Sequence, residues 1–509
     1  MIILDAEDQL RTKQLRDPFL GGGPTLRFPE KAAARSNSPL PDYETSEAHQ
    51  KLILKENIQR KRVDPRLWRA ILYALAIYVI LSAVIGVPII IVKRRKNTDD
   101  MAYGIGPIWD GDDDPGTSLS LSNSNPWLPG VTAKCDWDDI EHNDSHNYSA
   151  TVTRFLSCPG TLYIRSNISQ TTTTASFSLG HLTVDINPDP SALKTMFRVD
   201  AVASTKELLR HTTACFDESG NDRGLFIGVS KKLKPTDFVG LDIQVLLPKT
   251  ISSNAPLNFF TYLPWFSHGF GDLKNYTTFT NLVIEGAGFD VVARSVKASL
   301  ISVKNSYGSI LGEFHAIDSL TLDGIKGDII ANITLERDPA SLGPTFLTLD
   351  TGDGAIDARV KLVAASPRYS FNPSQPYTFV ADVKTFNGPL NIQVAHSSTT
   401  PPIPLQLTVQ NNDGKTVVVV DKSFEGTYSA QSKLEKVAVE QPYMLPSADP
   451  LGKGRSRNYK CDQKSVNRVR GWVGWGKQPK YGDGVVQGQI KVVSSLSPIM
   501  LDLGSGTGP

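Results

Sequence analysis

Cysteine is scarce in this chain, and histidine is little commoner. Four cysteines, Cys135, Cys158, Cys215 and Cys461, stand among 509 residues, and no two form a C-x-x-C pair. Thiolate zinc sites and thioredoxin-type redox motifs therefore have no footing. The eight histidines offer one suggestive spacing, His142 and His146 on either side of Asn143. An i, i+4 pair chelates a metal from one face of a helix, but EHNDSHN is rich in turn formers, so no metal is expected there. G-x-S-x-G, G-x-x-x-x-G-K-[ST] and H-E-x-x-H are missing, and with them the usual sequence support for acyl-transfer, nucleotide and zinc-protease chemistry. Asp350-Thr351-Gly352 has no second copy, whereas an aspartic protease needs two such loops sharing a proton. Excess charge of either sign is missing as well. A net charge of +1 gives no drive toward nucleic acid. No cofactor and no catalytic residue is expected, and the chain reads as non-enzymatic.

What is present begins with one long apolar run. Ala70–Val92 holds 23 residues without a charge. As a helix it covers about 34 Å, enough to span a bilayer core with some tilt. It starts too far into the chain for a cleaved signal peptide, so it reads as an uncleaved signal anchor. Lys51, Lys55, Arg60, Lys61, Arg62, Arg66 and Arg69 precede it, and Lys93–Lys96 follow it. The positive-inside rule thus leans toward a cytosolic N-terminus. Glycosylation sequons lean the same way. N-x-S/T occurs at Asn143, Asn147, Asn167, Asn275 and Asn332, all after the run. The cysteines also all follow it, on the side where disulfides form. The expected layout is type II, with the C-terminal part outside the cell or in a lumen, and the plasma membrane favoured over Golgi or vacuole.

Flanking segments read as unstructured. Residues 1–69 are polar, glycine- and proline-containing, and suit a disordered cytosolic tail. Within them, Leu40-Pro41-x-Tyr43 is a proline-preset extended segment ending in an aromatic ring. Such a segment fits the groove of a WW domain, which would bring a ubiquitin ligase as partner; a plain linker is the blander reading. Residues 93–130, acidic and then rich in Ser, Asn and Pro, read as a stalk. Their DGDDD resembles a sugar-nucleotide D-x-D motif but lies outside any α/β pattern.

From Leu282 onward, apolar and polar residues alternate with the period of a strand. Ile329, Ala331, Ile333 and Leu335 share one face, which points Asn332 outward. The unit of strand, polar turn with glycine, and strand recurs at 299–314, 320–335, 346–362, 377–394 and 405–420. Its turn glycines are Gly308, Gly327, Gly354, Gly388 and Gly414. Repetition at this spacing means one supersecondary unit stacked several times. The fold class is mainly β. Two geometries follow, the parallel rungs of a β-solenoid or antiparallel hairpins in an elongated sandwich. Repetition favours the first, while Asn411-Asn-Asp-Gly414 suits a hairpin. The domain reading is tail 1–69, transmembrane helix 70–92, stalk 93–130, a β-rich part 131–280 and a β-repeat part 281–509.

The strand–turn–glycine–strand repeat resembles adhesin-like β-repeat domains of unknown function in bacteria and fungi. The whole layout is similar to a group of fungal single-pass membrane proteins. That likeness rests on LPDYETSEA in the tail, the signal anchor, FEGTYSAQS from Phe424, DPLGKGR from Asp449, GWVGWG from Gly471 and GDGVVQGQIKVVSSLSPIMLDL from Gly482. Residues 130–280 resemble the family least. The resemblance implies a cell-surface β-repeat fold. The repeats, the stalk and the lack of catalytic constellations point to an adhesin-like interaction module whose partner is a wall glycan or a surface protein. The runner-up reading is a lumenal type II carbohydrate-active enzyme.

Three disulfide pairings are open to the four cysteines. A Cys215–Cys461 bridge, with Cys135–Cys158 closing a local loop, is preferred because it ties an early strand to the last segment. Trp472 and Trp475 either present a sugar-stacking platform or pack inward against the glycines around them. The aromatic stretch Phe259–Phe270 is too apolar for a solvated loop and reads as core or as a cap.

Overall fold

The computed structural model describes residues 135–506 apart from 136, 144–146, 159, 167–179, 219–221, 230–236, 250–255, 339–340, 342, 365–376, 441–448 and 481–485. The chain divides into Met1–Ser118 and Leu119–Pro509, and every described residue falls in the second unit. The tail motif at Leu40, Pro41 and Tyr43, the apolar run 70–92, the stalk 93–130 and Asn167 lie outside the described residues. No helix among the described residues is long and apolar enough to cross a membrane.

The described part is almost entirely strand. In chain order it runs β1 (Asp139–Asn143), β2 (Asn147–Ser157), β3 (Gly160–Ser166), β4 (Gly180–Ile186) and β5 (Lys194–Ala203). A single helical turn, α1 (Lys206–Arg210), leads to β6 (Thr212–Asp217), β7 (Asp222–Val229), β8 (Val239–Leu247), β9 (Leu257–Tyr262) and β10 (Phe266–Asp272). Then come β11 (Phe279–Gly286), β12 (Val291–Asn305), β13 (Ile310–Gly324), β14 (Ile329–Arg337), β15 (Thr345–Thr351) and β16 (Ile356–Ala364). They are followed by β17 (Phe379–Thr385), β18 (Leu390–His396), β19 (Leu405–Asn411), β20 (Thr416–Asp421), β21 (Gly426–Ser432) and β22 (Val437–Glu440). The series closes with β23 (Arg457–Lys464), β24 (Arg468–Trp475), β25 (Gly488–Ser494) and β26 (Ile499–Gly506).

These 26 strands form one hydrogen-bonded network folded into two sheets. Sheet one runs β1, β2, β5, β8, β4, β10, β12, β13, β14, β16, β18, β20, β26, β22. Sheet two runs β6, β7, β3, β9, β11, β12, β13, β15, β17, β19, β25, β21, β24, β23. The long strands β12 and β13 serve both sheets, with β12–β13 register shifts where the chain crosses over. From β4 to β26 the sheet-one pairs are all parallel, as are those of sheet two from β7 to β21. A rung is therefore a sheet-two strand, a tight turn and a sheet-one strand. This pairing decides between the two geometries in favour of parallel rungs. Asn411–Gly414 makes no hairpin, because β19 and β20 lie in different sheets.

Alternation explains the core. Ile329, Ala331, Ile333 and Leu335 of β14 all point inward and are buried, while Ile330 and Asn332 face out. Ile356, Ala358, Val360 and Leu362 of β16 stack on them in register. Each fully buried Ile or Leu is worth about 1.5–3 kcal/mol. Phe259, Phe266 and Phe270 are buried in this core too, so the aromatic stretch is core.

The turns stack as closely as the strands. A Cβ on Gly327, Gly354, Gly388 or Gly414 would lie 1.9 to 2.0 Å from the carbonyl oxygen of the preceding turn glycine, so only glycine fits. Three residues before most of these glycines stands a buried polar side chain that satisfies the turn. The Thr385 hydroxyl donates to Gly354 O at 2.9 Å, and Asn411 Nδ2 donates to Gly388 O and Gly414 O at 3.1 and 2.7 Å. Thr351 and Asn305 play the same part at 3.1 and 2.7 Å. Burying these donors is tolerable because each has its acceptor.

Both ends depart from chain order. The rung β7/β8 lies outside β3/β4, although it comes later in sequence. At the other end β25/β26 lies between β19/β20 and β21/β22. Antiparallel strands finish each sheet two edge. The disulfide is Cys135–Cys215, spanning 80 residues, and Cys158 and Cys461 are free thiols, half-buried and exposed respectively. This corrects the preferred Cys215–Cys461 bridge. Cys215 sits on β6 at the N-terminal edge of sheet two, whereas Cys461 sits on β23 at the opposite edge. Trp137 joins the same closure, its Nε1 donating to Thr212 O at 3.0 Å.

Candidate binding face

The outward face of sheet two is a set of straight rows, because parallel rungs place equivalent residues side by side about 4.8 Å apart. Counting four residues back from each turn glycine gives Lys304, Asp323, Asp350, Lys384 and Gln410, neighbours in that order. Counting six back gives Ser302, Thr321, Thr348, Asp382 and Thr408. Toward the N-terminal end a third row is made of amides, with Asn281 Nδ2 donating to Asn258 Oδ1 at 2.8 Å and Asn258 Nδ2 to the Thr161 hydroxyl at 3.4 Å.

Electrostatically the centre of this face is a carboxylate group. Asp323 and Asp350 stand on adjacent strands, with Asp382 diagonal to Asp350. Burial pushes the Asp323 carboxyl up, with Lys304 pulling the other way. Burial also pushes Asp350 up; Lys384 opposes that, and the neighbouring Asp323 and Asp382 add to it. Lys384 itself pairs with Asp382 at 2.6 Å. Burial raises Glu285, the neighbour of Lys304 in the same row, against the pull of that lysine. Half-buried carboxylates of this kind accept hydrogen bonds from hydroxyl or ammonium donors more readily than they hold charge in isolation. Among the described residues no three His, Cys, Asp or Glu side chains are placed to hold a metal ion.

The residues singled out in the sequence are dispersed. Asn332 is exposed on the outer face of sheet one, between Glu313 and Arg359, and Asn275 is exposed in the link between β10 and β11. The backbones of Asn143 and Asn147 close the β1–β2 hairpin, their side chains lying outside the described residues. His142 is on a strand, which removes the helical i, i+4 geometry that a His142–His146 chelate needs. Trp472 and Trp475 are only 2% and 4% exposed. Their indole N–H groups donate to Gln487 Oε1 at 2.8 Å and to Lys422 O at 2.9 Å, and Arg457 lies over the Trp475 ring. They are three apart on one strand, hence on opposite faces, and neither forms a platform. DPLGKGR is structural as well. Asp449 accepts from the backbone of Leu451, Lys453 and Arg455 and from the Arg455 guanidinium, which holds its carboxyl well below the usual range. Gly452 and Gly454 supply the left-handed turn at φ +64° and +67°.

Asp323 and Asp382 went unnoticed in the sequence, and Asp350 drew notice only as part of a lone Asp-Thr-Gly. Aligning the repeats on their turn glycines would have found them, since that alignment puts equivalent outward positions in one column.

The sequence model of a family described as a domain of unknown function, DUF7330, matches residues 328–444. That stretch runs from the turn before β14 to just past β22 and stops short of β23–β26. No curated protein matches the chain. Among solved structures, a protein from Clostridium sporogenes provisionally assigned to cell adhesion is similar at 10% identity, over 70% of this chain and 99% of its own. The TM-score is 0.13, so that likeness carries no argument about fold or role.

Proposed function

We propose that this chain is a membrane-anchored surface glycoprotein whose β-stack is a non-enzymatic, adhesin-like interaction module. The observation that carries the reading is the outer face of sheet two, a regular grid of hydroxyl, amide, carboxylate and ammonium groups. Such a grid suits a polyhydroxylated polymer such as a wall glycan, or the polar surface of another protein, because each rung repeats the same hydrogen-bonding chance. The two exposed sequon asparagines, Asn332 on sheet one and Asn275 in the β10–β11 link, would carry glycans away from that grid. The anchor is residues 70–92, with the N-terminus cytosolic and the plasma membrane the favoured site. The Leu40-Pro41-x-Tyr43 segment would offer the cytosolic side to a WW-domain ubiquitin ligase.

Binding of the purified protein to insoluble wall glycans, compared with a Thr321→Val/Thr348→Val/Thr408→Val variant, tests the face. Equal binding by both would overturn it. Protection of the C-terminal part from protease in sealed vesicles, with a glycosidase-sensitive mass shift, tests the orientation.

One observation favours a second reading. Asp323 and Asp350 are adjacent carboxylates whose proton affinities are raised, and paired carboxylates are the working groups of glycoside hydrolysis. Release of reducing sugar by the wild type but not by Asp350→Asn would establish a lumenal carbohydrate-active enzyme instead.

A further inference from the structure

We propose that β23 docks a second copy of this chain, strand to strand and antiparallel, about a two-fold axis at Cys461. The two edges of sheet two are finished differently. At the N-terminal edge, β6 is closed off by the Cys135–Cys215 bridge and by the Trp137 hydrogen bond to Thr212. At the C-terminal edge, β23 pairs with β24 on one side and, among the described residues, with no strand on the other. An open edge presents unpaired N–H and C=O groups, a ready template for another strand.

The sequence of this edge is complementary to itself. Setting two copies of β23 antiparallel with Cys461 opposite Cys461 puts Lys460 of each chain opposite Asp462 of the other. Tyr459 then meets Gln463, and Asn458 meets Lys464; no like charges face each other. Opposite charges directly across a strand pair favour pairing, and like charges disfavour it. Within one chain Lys460 and Asp462 form a 3.1 Å ion pair while remaining 61% and 50% exposed, so both are free to re-pair across the axis. A two-fold contact of this kind closes on itself and yields a dimer rather than a fibre. The bulge at Asp462 bends the edge, which keeps the contact short and centred on 458–464.

The exposed Cys461 thiol reports on this geometry. Residues directly opposite across antiparallel strands have Cβ atoms within reach of a disulfide. With a disulfide oxidant such as oxidised glutathione, two Cys461 thiols give up two protons and two electrons, an S–S bond forms between the chains, and the oxidant leaves as two thiols.

The test uses the full chain in mild detergent, titrated with oxidised glutathione and read on a non-reducing gel. Wild type is expected to run as a dimer. Cys461→Ser is expected to abolish the dimer band and Cys158→Ser to leave it. Lys460→Asp sets Asp opposite Asp and is expected to lower the crosslinking rate about tenfold, while Lys460→Asp with Asp462→Lys restores it. Lys460, Cys461 and Asp462 are solvent-exposed and Cys158 is half-buried, and unchanged melting curves would confirm that the variants fold. A chain that stays monomeric under oxidation, crosslinking indifferent to the single reversal, or a double reversal that fails to rescue would each overturn the proposal.

Discussion

His268 should make the stack acid-sensitive through a single side chain. It lies on β10 between Leu182 of β4 and Val291 of β12, and is 1% exposed. The backbone of Phe266 offers its ring one hydrogen bond that favours the protonated form, but burial outweighs it. Burial pulls its pKa from 6.5 down to about 4, with the nearby His181 adding to the shift. The folded state thus holds the neutral imidazole, whereas the unfolded chain takes up a proton near pH 6.5. Between those values the unfolded state binds more protons, so stability falls as pH falls. The contribution is whole above pH 6.5 and is lost progressively down to about pH 4. A shift of this size corresponds to about 3 kcal/mol, lost at about 1.4 kcal/mol per pH unit. Urea unfolding followed by circular dichroism at pH 7, 6, 5 and 4.5, on wild type and His268→Leu, isolates the effect. Every other titrating group is common to both proteins, so the difference in stability between them should change by about 2–2.5 kcal/mol across that range. A difference that stays flat with pH would refute the reasoning.

Three further outcomes are expected. Gly388→Ala places a Cβ 1.9 Å from the Gly354 carbonyl oxygen, forcing two rungs apart; a loss of about 1–3 kcal/mol or more should appear as a lower urea midpoint. Cys135→Ser opens an 80-residue loop, worth about 4–5 kcal/mol by chain entropy, and should lower the melting temperature as much as reduction lowers that of wild type. Asp350→Asn should stabilise the protein at pH 7, because its ionised form is penalised by burial and by Asp323 and Asp382. That gain should shrink as pH falls through the raised pKa, where wild type also becomes neutral, and paired melts at pH 7 and 4 would show it.

The repeat half of the fold was legible because two signals coincide there. Period-two alternation gave the inward faces, as at Ile356, Ala358, Val360 and Leu362, and the turn glycines marked the rungs. Residues 131–280 hid the same architecture. Their rungs β3/β4 and β7/β8 are interrupted by β5, α1 and β6, so no fixed spacing repeats. The disulfide could not be read either. It depends on which strands lie at the edge of sheet two, and edges are a property of the pairing order. The sugar platform at Trp472 and Trp475 fails for a simple reason: residues three apart on a strand point to opposite sides. The carboxylate group at Asp323, Asp350 and Asp382 was present in the spacing but shows only when units are aligned on their glycines.

The placement of β25/β26 between β19/β20 and β21/β22 has a consequence for the timing of assembly. Synthesis delivers β21 and β22 before residues 488–506 exist. Until then the edges of β19 and β20 are open, and β21 and β22 can lay themselves directly on those strands in the wrong place. The native arrangement needs that pairing to be avoided or undone so that the late rung can enter. A half-made chain is therefore most vulnerable after residue 440 and before residue 488, and a pause there would lengthen the time that two strand edges stand exposed.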